Sequence, residues 1–166
     1  MTVTDDVLQA NQRYAQTFDL AGLPRPPARK LAIVTCMDAR MVLERMLGLK
    51  AGDANIIRNA GGIVTEDVLR SLIISHELLG TEEFLVINHT DCGLQNLAEN
   101  ELRARLRART GREAEQPGHF HAFADLQENV REQVRRVRSH PWLPEQISVR
   151  GFVYDVKTGR LREVAA

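Results

Sequence analysis

The sequence predicts an α/β fold: a mostly parallel central sheet of about four strands with an antiparallel edge strand, flanked by helices. Three observations carry this. Apolar runs at Leu31–Cys36, 54–58 and Glu83–His89 read as strands buried in a parallel sheet. Between the runs lie stretches with helical apolar spacing, so each strand returns through a right-handed crossover. Near the end, Thr158-Gly159 joins two short runs as a hairpin would.

In chain order, residues 2–18 predict a short helix. Thr4 is its expected cap, Asp5 and Asp6 favour its positive end, and Val7, Leu8 and Tyr14 form a loose apolar face. Residues 22–27 hold three prolines and cannot continue a helix. The first strand follows, and 41–47 is helical in spacing until Gly48. After the second strand and Asn59-Ala60-Gly61-Gly62, Thr65 is expected to cap a long helix facing inward through Val68, Leu69, Leu72, Ile73, His76 and Leu79. The third strand leads to helices at 94–109 and 121–138, separated by a loop at 110–118. Residues 147–156 alternate like a half-exposed strand, and 160–164 complete the hairpin.

At 166 residues the chain is expected to form a single domain over 1–166. Its parts are an N-terminal helix and Pro-rich arm (1–28) and an α/β core (29–166). Lys plus Arg and Asp plus Glu balance at 22 each, so no net field recruits nucleic acid. Arg103, Arg105, Arg107, Arg109 and Arg112 are interleaved with Glu99, Glu101, Glu113 and Glu115 and read as a solvated helix face. No apolar run is long enough for a membrane helix. Residues 1–6 do not resemble a signal peptide. The expected compartment is the cytoplasm, where two cysteines stay reduced.

Those two cysteines are the chemical signal. Cys36 and the segment His89-Thr90-Asp91-Cys92-Gly93 stand where strands meet turns, on the rim where open α/β sheets bind ligands. Buried hydrophobic thiols would explain neither that placement nor His89. A disulfide switch would leave His89 without a role. Two thiolates and an imidazole suit zinc, and three protein ligands leave a tetrahedral position open for catalysis. Asp38 and Arg40 follow Cys36 at steps of two, so an extended backbone would point all three to one side. Asp38 is then either a fourth ligand or a carboxylate oriented by Arg40 to accept a proton; an ordinary surface ion pair is the plainer alternative. Gly61 and Gly62, ahead of a helix N-terminus, suit either an anion or a turn that needs positive φ. His119 and His121 flank Phe120 as a candidate proton shuttle, although solvated histidines are commoner, and His76 reads as a satisfied core or interface residue.

Cys36-x-Asp38-x-Arg40, then His89-x-x-Cys92-Gly93 about fifty residues later, resembles the β-class carbonic anhydrases. The likeness extends through Arg58-Asn59-Ala60-Gly61. It implies that Cys36, His89 and Cys92 bind zinc and that Asp38 and Arg40 form a catalytic dyad. Asn59, Ala60, Gly61 and Gly62 would border the substrate pocket. The implied reaction is reversible hydration of CO2 to bicarbonate and a proton by zinc-bound hydroxide, with activity rising with pH. A homodimer is implied, with the first helix packed on its partner, and a tetramer of two dimers is the next assembly. The chain departs from common family patterns at Ala39 and Leu94, has no Gln in the Pro-rich segment just ahead of the first strand, and carries its one Trp far along at Trp142. Two alternatives stay open. One is hydrolysis of carbonyl sulfide or carbon disulfide on the same scaffold; the other is a non-catalytic zinc-thiolate sensor of bicarbonate or redox state.

Overall fold

In the computed structural model, which describes residues 2–165, five strands form one sheet in the order β2-β1-β3-β4-β5. They are β1 Leu31–Cys36, β2 Ala54–Asn59, β3 Glu83–His89, β4 Ser148–Tyr154 and β5 Leu161–Val164. The first four run parallel and β5 returns antiparallel to β4. This is the sheet that the apolar runs and the terminal turn predict. Parallel register aligns the carboxyl ends, with Cys36 beside Asn59 and His89 beside Tyr154.

Alternation along the strands divides the core between two faces. Ala32, Val34, Phe84, Val86, Val149 and Val153 pack against helices α3 (Glu66–Leu79) and α5 (Leu126–Arg138). There α5 approaches so closely that a Cβ on Gly151 would lie 2.5 Å from Val130. Ile33 and Ile87 face the other way and pack with Met41, Leu43, Leu49, Cys36 and Cys92 beneath the short helix α2 (Leu43–Leu47). At the end of β3 the alternation sends Asn88 toward α5 and His89 into the second cluster.

Several boundaries differ from expectation for local reasons. Helix α1 spans Val3–Gln16 and is capped by Thr2 rather than Thr4; Thr2 and Asp5 form a reciprocal capping box, which favours the earlier start. Residues 41 and 42 precede α2, and Arg58 holds the Met41 carbonyl outside the helix. Helix α4 starts at Glu99, not 94. Residues 94–96 instead bond to Phe123 in extended pairing, which also delays α5 to its Asp125 cap. Thr65 caps α3 as expected, accepting from the Val68 amide.

Candidate metal centre

Three segments meet at the sheet's carboxyl rim. Cys36 ends β1, His89 ends β3, and Cys92 follows a tight turn in which Asp91 adopts φ 58°. One ligand atom from each of Cys36, His89 and Cys92 lies within 4.8 Å of the others, and all three residues are buried.

The backbone fixes the imidazole. His89 Nδ1 lies 2.8 Å from the Thr90 carbonyl, so Nδ1 carries the proton and donates it, and Nε2 is left as the acceptor. Nε2 is buried without a hydrogen-bond partner, and no other buried side-chain polar atom among the described residues is so placed. Such an atom costs about 1–3 kcal/mol unless a ligand satisfies it. A backbone-oriented imidazole and two sulfurs converging on one point fit a metal ion, and nitrogen with soft sulfur fits zinc.

The protonation pattern agrees. Cys36 is lowered to about 4, chiefly because the Cys92 thiol donates to it, with His89 and the Asp38 and Gly61 amides adding to the effect against burial. Cys92 is pushed up by the same contact and by burial. Burial opposes the charged form of His89, yet the contact with Cys36 and the Thr90 carbonyl leaves it raised. The contact thus favours the thiolate at Cys36, the form in which a sulfur binds an ion.

Beside the cluster, Arg40 grips Asp38 through both of its oxygens, Nε to Oδ1 at 2.9 Å and Nη2 to Oδ2 at 2.7 Å. The Arg40 amide also donates to Oδ1. These bonds hold the carboxyl well below the usual carboxylate range. Asp38 Oδ2 stands 3.8 Å from His89 Nε2, so the carboxylate borders the ligand cluster while remaining turned to Arg40. The guanidinium is held in turn by Asp91, through its carboxylate at 2.7 Å and its carbonyl at 3.0 Å.

Residues 37–42 are loop, not the extended row that steps of two suggest. Arg58 shapes that loop, donating to the carbonyls of Cys36, Asp38 and Met41. Sequence reasoning gives Arg58 no role beyond ending the second strand and opening a loop motif. Its signal was a lone cation at the end of an apolar strand, whose charge finds carbonyls rather than an acid. Asn59 pins the next turn by accepting from the Ile63 amide and donating to the Ile63 carbonyl. Gly61, at φ 79°, directs its N–H to Cys36 Sγ at 3.3 Å.

A cavity of about 190 Å³ opens over the cluster, lined by Cys36, Met37, Asp38, Ala60, Gly61, Cys92, Gly93 and Leu94. Asn59 and Gly62 lie outside this lining, as do His119 and His121, whose rings are 6.4 Å apart. His76 bonds to the Thr81 carbonyl. In the arginine row, Arg107 pairs with Glu113, while Arg103 donates to the Pro117 and Gly118 carbonyls.

Comparison with known proteins agrees with this geometry. The family model described as carbonic anhydrase matches residues 31–161. A β-carbonic anhydrase 1 from Mycobacterium tuberculosis is 47% identical over 165 residues, 99% of each chain. A carbonic anhydrase structure from Streptococcus mutans superposes with TM-score 0.92 at 45% identity, covering 99% of both chains. A carbon disulfide hydrolase from an Acidianus strain is 36% identical, over 83% of this chain and 78% of its own.

Proposed function

The chain belongs to the carbonic anhydrase family, in its β class, and on that premise we propose that it interconverts carbon dioxide and bicarbonate with a zinc ion held by Cys36, His89 and Cys92. The observation that carries this reading is the buried, unpartnered Nε2 of His89 converging with two sulfurs beside an ionised carboxylate. When bound, zinc supplies Lewis acidity that makes water nucleophilic near neutral pH.

The remaining roles fall to the protein's own groups. Asp38, kept ionised by Arg40, accepts a proton from the attacking water, because its Oδ2 borders the ligand cluster. Arg40 orients that carboxylate and keeps it from the ion. Met37, Ala60 and Leu94 give the cavity apolar walls suited to an uncharged linear substrate. Arg58 holds the loop that presents Asp38.

The reading extends to assembly and compartment. The core of residues 29–166 acts as one α/β unit carrying the 1–28 arm. Helix α1 buries no residue of its own, which supports a homodimer in which it packs on a second copy. Among the described residues no helix is long and apolar enough to cross a membrane, and two free thiols suit a reducing cytoplasm.

The test is metal analysis together with stopped-flow CO2 hydration, with carbonyl sulfide and carbon disulfide run alongside. One zinc per chain and rapid CO2 turnover are expected. Stoichiometric zinc without CO2 turnover would overturn the reading, and preferential turnover of either sulfur substrate would reassign the reaction. The 47% likeness to a carbonic anhydrase, against 36% to a carbon disulfide hydrolase, favours CO2.

A further inference from the structure

Behind the rim, three carboxamides stand in series in the core. Gln133 Nε2 donates to Asn129 Oδ1 at 3.0 Å, and Asn129 Nδ2 donates to Asn88 Oδ1 at 3.0 Å. Asn88 Nδ2 then donates to the carbonyls of Gly61, at 2.7 Å, and Gly62, at 3.3 Å. At the other end, Gln133 Oε1 accepts from the Val64 amide at 2.8 Å. The series therefore starts and finishes on one loop, 61–64, after passing through α5 and β3. All three side chains are buried, at 1% exposure for Asn88, 9% for Asn129 and 3% for Gln133.

An apolar helix–sheet contact needs no such series, and buried amides destabilise unless every group is bonded. Here the bonds close on the segment whose Gly61 amide meets the Cys36 sulfur. The fit is tight: a Cβ on Gly62 would lie 2.7 Å from Asn88 Nδ2 and 3.0 Å from the Cys36 backbone nitrogen. Neither Asn129 nor Gln133 touches the ligand cluster, so any action on it passes through this loop.

We propose that the Gln133–Asn129–Asn88 series positions the metal centre, holding the 61–64 loop so that the Gly61 N–H stays on Cys36 Sγ and moderates that thiolate's donation to the ion. The proposal rests on the assignment of Cys36 as a ligand. A hydrogen bond to a coordinating sulfur withdraws charge from it, so losing the bond raises the energy of the sulfur lone pairs and alters metal affinity.

The test replaces one link at a time, as Asn129→Leu and Gln133→Met, in cobalt(II)-substituted protein. The thiolate-to-cobalt charge-transfer band is expected to move to longer wavelength in both variants. Metal affinity, measured against a chelator, should shift by about 10–100-fold. Hydrogen exchange at Gly61 in the metal-free protein should quicken. A purely structural role would lower the melting temperature and leave the band in place, and that result in either folded variant overturns the proposal. Exchange at Gly61 also decides in the unmodified protein, where an unprotected amide overturns it without recourse to variants. If the parent protein shows no cobalt–thiolate band, the ligand assignment fails. A band that is present but unmoved defeats the series alone.

Discussion

Helix α1 and the rim around Cys36 reach order by opposite routes. The helix is fully specified by its neighbours in sequence: Thr2 and Asp5 cap each other's backbone, and acids sit at its positive end. Yet none of its residues is buried, and Val3, Val7 and Leu8 remain 80%, 61% and 57% exposed. A helix of 14 residues is marginal on local terms alone. The rim has little local regularity. It joins residues about fifty positions apart and holds them by buried and half-buried bonds to carbonyls and amides, those at Cys36 reaching across the chain and that at His89 to its neighbour. Local rules write a helix that awaits a surface, whereas tertiary bonds hold a site with no local preference of its own.

The largest break in this contrast lies at the ligands. Cys36→Ala, His89→Ala and Cys92→Ala should each lose zinc and drop CO2 hydration to the uncatalysed background, while far-UV circular dichroism still reports the parent's helix content. Stoichiometric zinc in any of the three, by elemental analysis, would remove that residue from the ligand set.

Next comes the dyad. Asp38→Asn should keep zinc and the fold yet lose about 10²–10⁴ in kcat, the range of general acid–base catalysis. Hydration kinetics near the parent rate would exclude Asp38 from proton transfer. The same variant carries a stability signature. Because Asp38 is depressed in the folded state, its pairing with Arg40 contributes fully above the unfolded carboxyl value of about 3.9. That contribution fades as pH falls further, through the folded value. The difference in urea unfolding free energy between parent and Asp38→Asn should therefore be flat above about pH 5 and shrink in acid. Growth of the difference in acid would mean that the pairing is absent.

The rim is also where sequence reading was least complete. Cys36, His89 and Cys92 were legible because their side chains bring distinctive chemistry to strand ends. The sheet was legible because β1 and β3 are apolar without alternation. Arg58 was not, since its partners are three carbonyls that leave no mark in sequence. The start of α4 was missed because the pairing of 94–96 with Phe123 is a contact across the chain that outweighs helical spacing. Thr4 is the expected cap and Thr2 the observed one, because the capping box depends on where the first turn starts.

Arg58→Met sharpens the same point. It keeps the stem and removes the donors, freeing three carbonyls of the 36–41 loop. Hydrogen bonds to charged groups contribute about 1.5–3 kcal/mol, so a loss of roughly 3 kcal/mol by denaturant titration is expected. Activity should fall with it, because Asp38 loses its backbone anchor. Unchanged stability would show that the loop holds itself.

The smallest effects separate α1 from the other helix that buries nothing, α4 (Glu99–Thr110). Helix α1 is exposed along its length, whereas α4 half-buries Glu99, Leu102, Arg103 and Leu106, and the exposed side chains differ in kind. On α1 they include apolar groups that a second copy would cover; on α4 they are mainly arginines and glutamates already at home in water. Val7→Asp with Leu8→Asp should convert a dimer to monomers in sedimentation velocity while leaving metal content unchanged. A dimer that persists would place the interface elsewhere. Arg105→Gln with Arg109→Gln should leave assembly and activity as they were and stability within about 0.5 kcal/mol, as for surface changes in general. If the arginine pair mattered more than the α1 pair, exposure on α4 would mark a partner's footprint, and the distinction between a waiting face and a solvated one would fail.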